Sequence, residues 1–502
     1  MKITVKQSSI VVEDYKAGDA PFIERSFTLY DELTHQTYTK GIDYNPDTGR
    51  LILPRGVDIS WVEEQIGNHT TVDYRYDRYD AMLPDRSVGL RYRPRNERQV
   101  ETIKFMIGKD RYSYTKAHSQ LSVNNNTGEG KTWACISTAC FLNIRSIVIT
   151  SNTNWLEQWR TRILEYTDLS PKQILFLVGS ASINKLLREG PDNYCFILAS
   201  HSTLASYAKT NGWEAVGELF KFMKVGLKFY DEAHLFFDNM CYIDFYTNTY
   251  KTYYVSATPA RSDKHENVIY GYYFRNVPSI CLFDQNTDPH TSYTAMIYNS
   301  KPTPQQISDC KGPYGLDRNK YTNYVVKQEN FYLLLHIIMI NYVMHTSGKT
   351  LMYVGTNSAI EIVKQWLEEH YPMFTYGVYT SVITNNKSSQ LDKRVILSTT
   401  KSAGAAMDIA GLELTVVLAE QFKSEVLARQ TLGRTRASDT RYIDIVDNGF
   451  HYTRKYYEYK RPIFDKYATS CEEERYSHNT LAAEAQDLQD YLKEHPFPFQ
   501  FI

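Results

Sequence analysis

The chain has 502 residues, too many for one ordinary domain, and its 56 Lys and Arg against 57 Asp and Glu neither require nor exclude a polyanionic partner. Seven scattered cysteines with no CxxC pair argue against a zinc ribbon or a disulfide framework and suit free thiols in a reducing cytosol. Residues 1–6 lack the apolar core of a signal peptide and no apolar run is long enough to cross a bilayer, so a cytoplasmic protein with no membrane partner is expected.

Residues 1–88 read as a small β-rich accessory domain, a candidate DNA-binding unit. Residues 3–12 and 27–33 carry strand-like side chains, and Asn45-Pro46-Asp47-Thr48-Gly49 makes a turn into Leu51-Ile52-Leu53. Ser60-Trp61-Val62-Glu63 has capping-box spacing and opens a short helix that ends near Gly67. Neither Pro46-Asp47 nor Pro84-Asp85 is followed by the ExK of a PD-(D/E)xK nuclease. From 89 to 261 short apolar runs (146–150, 173–178, 195–199, 227–230, 252–256) alternate with helical stretches, which predicts a parallel sheet buried on both faces. Residues 262–325 are irregular, with Pro302, Pro304, Gly312, Pro313 and Gly315, and read as a linker and insertion. The alternation restarts over 326–450, with strands expected at 350–354, 375–379, 395–398, 414–419 and 442–446. Residues 451–502, rich in Tyr, Lys and Glu, predict a short helical tail packed on the second sheet domain. The class is therefore α/β, with two tandem parallel-sheet domains. Tyrosine is abundant, at 41 residues, and for any one of them core packing outweighs stacking on a base.

Two segments carry chemistry. Thr127-Gly128-Glu129-Gly130-Lys131-Thr132 follows an apolar stretch and precedes a helix over 133–142, the arrangement of a phosphate loop. Backbone N–H groups and the helix N-terminus cradle phosphates there, Lys131 reaches the β and γ oxygens, and the Thr132 hydroxyl holds Mg²⁺. Asn125 stands where such loops carry a small residue. About a hundred residues on, Asp231 and Glu232 end the apolar run 227–230, at the strand edge where open α/β sheets bind ligands. Asp231 suits water-mediated Mg²⁺ coordination, and Glu232 suits orienting or deprotonating an attacking water.

Together these segments resemble the superfamily 2 helicases of DEAD/DEAH-box type. Asp231-Glu232-Ala233-His234 is similar to motif II in its DEAH form, Ser256-Ala257-Thr258-Pro259 to motif III, and Gln430-Thr431-Leu432-Gly433-Arg434-Thr435-Arg436 to motif VI in its QxxGRxR form. The resemblance implies two RecA-like domains with ATP and Mg²⁺ as cofactors, and it casts Arg434 and Arg436 as arginine fingers on the γ-phosphate. Many relatives carry the second arginine at the place of Ala437. Weaker likenesses follow in family order. Gln99 corresponds to the glutamine that reads adenine. Ser151 and Asn152, and then Ser200, His201 and Thr203, fall in segments that hold the nucleic-acid backbone. Thr399 and Thr400, with Gly404 and Asp408, resemble motif V, although Ala406 replaces a usual glycine. The QxxGRxR form and the compact size look more like the DNA-remodelling superfamily 2 helicases of phages and large DNA viruses, a resemblance that implies a DNA helicase or branch-migration motor, monomeric, in a host cytoplasm. It would act on single-stranded, duplex or branched DNA in replication, recombination or repair. An RNA-dependent ATPase of the same fold, or a nucleotide-dependent clamp that does not hydrolyse, are the alternatives.

Overall fold

The structure is a computed structural model that describes residues 1–31, 36–73, 87–125, 129–151, 153–256, 264–282, 291–312, 315–380, 387–403, 409–422, 424–432 and 440–494. The chain divides into two compact units, residues 1–285 and 286–502.

The first unit opens with a five-stranded sheet of β1 (Lys2–Val5), β2 (Ser9–Glu13), β3 (Asp43–Asn45), β4 (Arg50–Pro54) and β5 (Thr70–Asp73), in the order β3-β4-β2-β1-β5. The run expected at 3–12 is thus a hairpin of two strands. The helix Ile59–Ile66 starts two residues earlier than the capping box suggested. Asp58 caps it by accepting from Ser60 N at 3.0 Å, and Gly67 ends it at φ 72°.

A parallel sheet follows, made of β6 (Gln120–Val123), β7 (Ser146–Thr150), β8 (Ile174–Leu177), β9 (Phe196–Ser200), β10 (Leu227–Asp231), β11 (Lys251–Val255) and β12 (Ser279–Ile280). Its order is β8-β9-β7-β10-β11-β6-β12. Successive side chains point to opposite faces, as a strand requires. Ile147, Ile197, Tyr230 and Tyr254 share one core with Ile3, Val11 and Leu51 of the N-terminal sheet. Val148, Leu198, Phe229 and Tyr253 face the other way, against helices that include α1 (Glu97–Ile107), α2 (Lys131–Leu142) and α3 (Thr153–Tyr166). Burial on both faces is why these strands read as apolar runs rather than alternating ones. Polar ties fasten the N-terminal sheet as well: Ser119 Oγ donates to Gln7 O at 2.6 Å, and Asn276 N to Gly56 O at 3.1 Å. The remaining helices that matter here are α4 (His201–Asn211) and α5 (Phe237–Tyr246).

The second unit contains β13 (Thr291–Tyr298), β14 (Lys349–Tyr353), β15 (Tyr376–Tyr379), β16 (Val395–Ser398), β17 (Leu412–Val417), β18 (Thr440–Asp447) and β19 (Cys471–Arg475), all parallel in the order β15-β16-β14-β17-β18-β13-β19. Counted within each sheet, both read 3-4-2-5-6-1-7. Two copies of one strand order are therefore built from unrelated side chains. β13 lies inside the stretch that reads as irregular. Its partner β18 pairs with it residue for residue from Thr291↔Thr440 to Tyr298↔Asp447. The tail holds α7 (His451–Tyr467) and α8 (His478–Glu494), which follow α6 (Glu425–Leu432), and between them β19 adds an edge strand to the sheet. The fold is thus two tandem RecA-like parallel-sheet domains, with a small β-rich N-terminal sheet and a short helical tail.

Many of the tyrosines are core residues, among them Tyr230, Tyr253, Tyr254, Tyr273, Tyr293 and Tyr353. Several hydroxyls serve buried carboxylates. Asp244 accepts from Tyr230 at 2.8 Å and from Tyr254 and Tyr273 at 2.5 Å each, and pairs with Lys228 at 2.5 Å, both charged side chains being fully buried. Asp444 of the second unit pairs similarly with Lys460 at 2.7 Å and accepts from Tyr293 at 3.2 Å. Among the described residues no helix is long and apolar enough to cross a membrane.

Candidate nucleotide site

Three neighbouring strands carry the candidate residues to one edge. In the order β10-β11-β6 their C-terminal ends lie side by side, which brings Asp231, Ser256 and Asn125 to adjacent positions. The phosphate-loop segment joins β6 to α2 at this edge.

Asn125 is 3% exposed and hydrogen-bonded at both ends of its amide. Its Nδ2 donates to Thr102 Oγ1 at 2.8 Å, and its Oδ1 accepts from Leu282 N at 2.9 Å. Its carbonyl accepts from Lys131 Nζ at 2.8 Å. The residue that departs from the usual small one therefore ties the start of the loop to α1 and to the chain leaving β12. At the other end Gly130 adopts φ 81° and precedes Lys131, the first residue of α2. That φ favours glycine, and a Cβ there would lie 2.1 Å from Gln99 Nε2 and 3.3 Å from Arg95 Nη2, so a side chain would also have to displace the Gln99 amide. Among the described residues no side chain caps α2, whose first turn points its N–H groups towards the loop. Glu129 is held from α1: Arg98 Nη1 lies 3.3 Å from its carboxylate, and Gln99 Nε2 donates to its carbonyl at 3.3 Å. Thr127 and Gly128 lie outside the described residues, and Thr132 follows Lys131 in the first turn of α2.

Asp231 ends β10, where its Oδ2 accepts from Trp159 Nε1 at 2.8 Å. Glu232 is 6% exposed and takes the left-handed φ of 52°, a conformation that costs a non-glycine residue roughly 1–2 kcal/mol. The turn is held by Ala233 N donating to Val255 O at 3.0 Å. His234 Nδ1 shares a hydrogen bond with Ser256 Oγ at 2.8 Å and lies 3.4 Å from Glu232 Oε2. The DEAH segment and the serine after β11 are thus directly linked, while Ala257, Thr258 and Pro259 lie outside the described residues. Cys135, one turn into α2, registers both halves of the site. Burial pushes its thiol up, Asp231 adds to that push, and Lys131 opposes it.

The residues expected on a nucleic-acid strand divide. Ser151 is half-buried just past β7, and Asn152 lies outside the described residues. Ser200 caps α4 by accepting from Thr203 N at 3.2 Å and shares hydrogen bonds with the Ser202 and Thr203 hydroxyls at 2.9 Å each. His201 is 1% exposed, its ring stacked against Tyr230 and Phe236 with centroids 5.7 Å away in each case. Against expectation, the imidazole offers no contact to a polynucleotide; the exposed hydroxyl at that edge is Ser202. Burial lowers the His201 pKa from 6.5 to about 3. Between those values the unfolded chain binds the extra proton, so stability present above pH 6.5 is lost as pH falls towards 3. His201→Phe keeps the stacking and is expected to remove about 2 kcal/mol of the stability lost between pH 6.5 and about 5, read by denaturant unfolding at each pH. Equal acid sensitivity in both proteins would show that another group governs it.

In the second unit Thr400 N donates to Glu420 Oε2 at 2.7 Å, its hydroxyl bonds the same carboxylate, and Thr399 Oγ1 donates to Ser402 Oγ at 3.0 Å. Gly404, Asp408, Arg434 and Arg436 lie outside the described residues, and Gln430 lies on α6. Trp159, Glu420 and the bracing role of Asn125 were not legible beforehand. Each depends on a partner far away in the chain, and only the unusual Asn125 left a local signal.

Solved structures share this fold. Saccharomyces cerevisiae Dbp5 bound to RNA and ADP BeF3 is similar at a TM-score of 0.54 and 12% identity, over 78% of this chain and 93% of that one. A point variant of Dbp5, also bound to RNA and ADP BeF3, is similar at 0.52 and 13% identity, over 79% and 96%. T4 UvsW covers 95% of this chain and 100% of its own at 13% identity, but its TM-score of 0.35 carries no argument. At such identities the likeness to Dbp5 shows the fold alone. No protein-family model matches the sequence, and no curated protein does.

Proposed function

We propose that the chain is an ATP-hydrolysing motor of the superfamily 2 helicase type that remodels duplex or branched DNA. The observation that carries this reading is the meeting of three elements at adjacent strand ends: a glycine-restricted loop with Lys131, the Asp231-Glu232 pair, and the His234–Ser256 link. The donor set fits a nucleoside triphosphate. An ammonium and the first turn of α2 supply positive charge and N–H groups, and a carboxylate pair stands at the same edge of the sheet. The shared fold supports the nucleotide and nucleic-acid part of this reading, since the matched Dbp5 structures carry RNA and ADP BeF3.

In this reading Thr127, Gly128, Glu129, Gly130 and Lys131 hold the phosphates, Glu232 orients and deprotonates the attacking water, and His234 passes the state of the site to Ser256. Thr132, and Asp231 through water, would hold magnesium, which would neutralise charge on the phosphoryl oxygens. Gln430, Gly404 and Asp408 contact the nucleotide, Arg434 supplies positive charge to the transferring group, and Arg436 assists it. Ser151, Asn152, Thr399 and Thr400 hold a strand by its backbone, so binding is indifferent to sequence. Residues 1–88 serve as an accessory DNA grip. The protein acts as a monomer in the cytoplasm, that of a host if a phage encodes it, in replication, recombination or repair.

The test is strand separation on labelled forked DNA and forked RNA with ATP and magnesium. ATP-dependent separation of the DNA alone supports the proposal. Separation of RNA alone moves the protein to the RNA-dependent class, and separation of neither contradicts a remodelling motor.

A further inference from the structure

We infer that Trp159 is a positioning residue that orients the Asp231 carboxylate through its indole N–H, and that the tightening of nucleotide binding by magnesium depends on that hydrogen bond. The inference rests on the nucleotide-binding reading above and adds to it a residue from outside the phosphate-loop and DEAH segments.

Trp159 lies on α3, where Leu156 and Ile163 share its buried face at spacings of three and four residues. The ring is 3% exposed and belongs to the same core as Val148 of β7, Phe229 of β10 and Ile136 of α2. An indole has one N–H and no acceptor, so its polar atom can only donate. It donates to Asp231 Oδ2 at 2.8 Å, across 72 residues of chain. Packing alone does not call for such a partner. Trp133 Nε1, on α2, is buried with no hydrogen-bond partner among the described residues.

Asp231 is the last residue of β10 and lies on the same face as Phe229, two positions earlier, so it is directed towards the helices of that face. The main chain turns at once, with Glu232 at φ 52° and Ala233 N donating to Val255 O at 3.0 Å. These contacts fix the backbone beside Asp231 but not the plane of its carboxylate. The last torsion of an aspartate is broad, so that plane takes its orientation from hydrogen-bond partners. Trp159 supplies a donor whose own ring is locked by packing. Because the donor is neutral, it orients the carboxylate without cancelling the charge that a hard cation requires. A carboxylate has about four lone-pair sites, so a bond to the indole is compatible with a second contact to a cation's water.

The experiment measures equilibrium binding of a fluorescent, non-hydrolysable ATP analogue to the full chain in EDTA and in saturating magnesium, and reads the ratio of the two Kd values. Trp159→Phe keeps most of the ring and loses the donor. Trp159→His loses the six-membered ring but can place Nε2 where the indole nitrogen stands. Trp159→Phe is expected to bind in EDTA within about twofold of the unaltered chain and to lose about tenfold of the tightening by magnesium. Trp159→His is expected to keep that tightening to within about threefold. Unchanged tightening in Trp159→Phe overturns the assignment. A loss as great or greater in Trp159→His also overturns it, because packing rather than the N–H would then be the cause. Loss of binding in EDTA by Trp159→Phe overturns it too, since the indole would then support the whole site. If magnesium does not tighten binding to the unaltered chain, the assignment falls while the nucleotide reading stands. If the unaltered chain binds the analogue under neither condition, the nucleotide reading falls and the assignment with it.

Discussion

Glu232→Gln is expected to lower ATP hydrolysis by about two to four orders of magnitude while leaving ATP affinity within about threefold. Glutamine matches the carboxylate in shape, so the left-handed turn at φ 52° and the packing beside His234 survive. What disappears is the capacity to accept a proton from water. The substitution thus separates binding, which belongs to the loop and Lys131, from the chemical step. Single-turnover hydrolysis beside equilibrium binding checks it. A drop of less than tenfold would move the base elsewhere, and a matching loss of affinity would mean that Glu232 holds the loop.

The largest effect on stability is expected at Asp244. Asp244→Ala removes the partner of a fully buried lysine and the acceptor of three tyrosine hydroxyls at once. Breaking one side of such a pair costs about 3–5 kcal/mol, because the remaining charge has nowhere to go. Lys228 already feels its burial, which lowers its pKa, with the attraction of Asp244 opposing that shift. Adding Lys228→Met to the alanine variant is therefore expected to restore part of the loss, a coupling that a double-mutant cycle measures by denaturant unfolding of the full chain. If Asp244→Ala stayed within about 1 kcal/mol of the parent, the cluster would be bystander packing rather than a structural tie between sheet and helix.

How much of this was legible in the sequence follows from which interactions are local. β7, β10 and β16 were readable because a strand buried on both faces leaves a run of apolar side chains whatever its neighbours are. The Gly130-Lys131-Thr132 and Asp231-Glu232 segments were readable for the same reason, their chemistry being carried by consecutive residues. β13 was hidden because it begins with Thr and Ser and runs into Pro302 and Pro304, so the breakers dominate its surroundings. β19 carries Glu472, Glu473 and Glu474 and has no apolar period; it becomes a strand only because β13 offers it an edge. The burial of Gln99 and His201 could not be foreseen either. Motif order marks where such residues fall along the chain, whereas Arg95, Glu129, Tyr230 and Phe236 decide which way their side chains turn.

The most direct test of the central claim is steady-state ATP hydrolysis by the full chain with magnesium, without polynucleotide and then with single-stranded DNA, branched DNA or RNA, beside Lys131→Ala. Turnover raised chiefly by DNA, most by the branched form, and lost in the variant by about two orders of magnitude or more, is the predicted result. Absence of hydrolysis under every condition, or equal turnover in the Lys131→Ala protein, would contradict it.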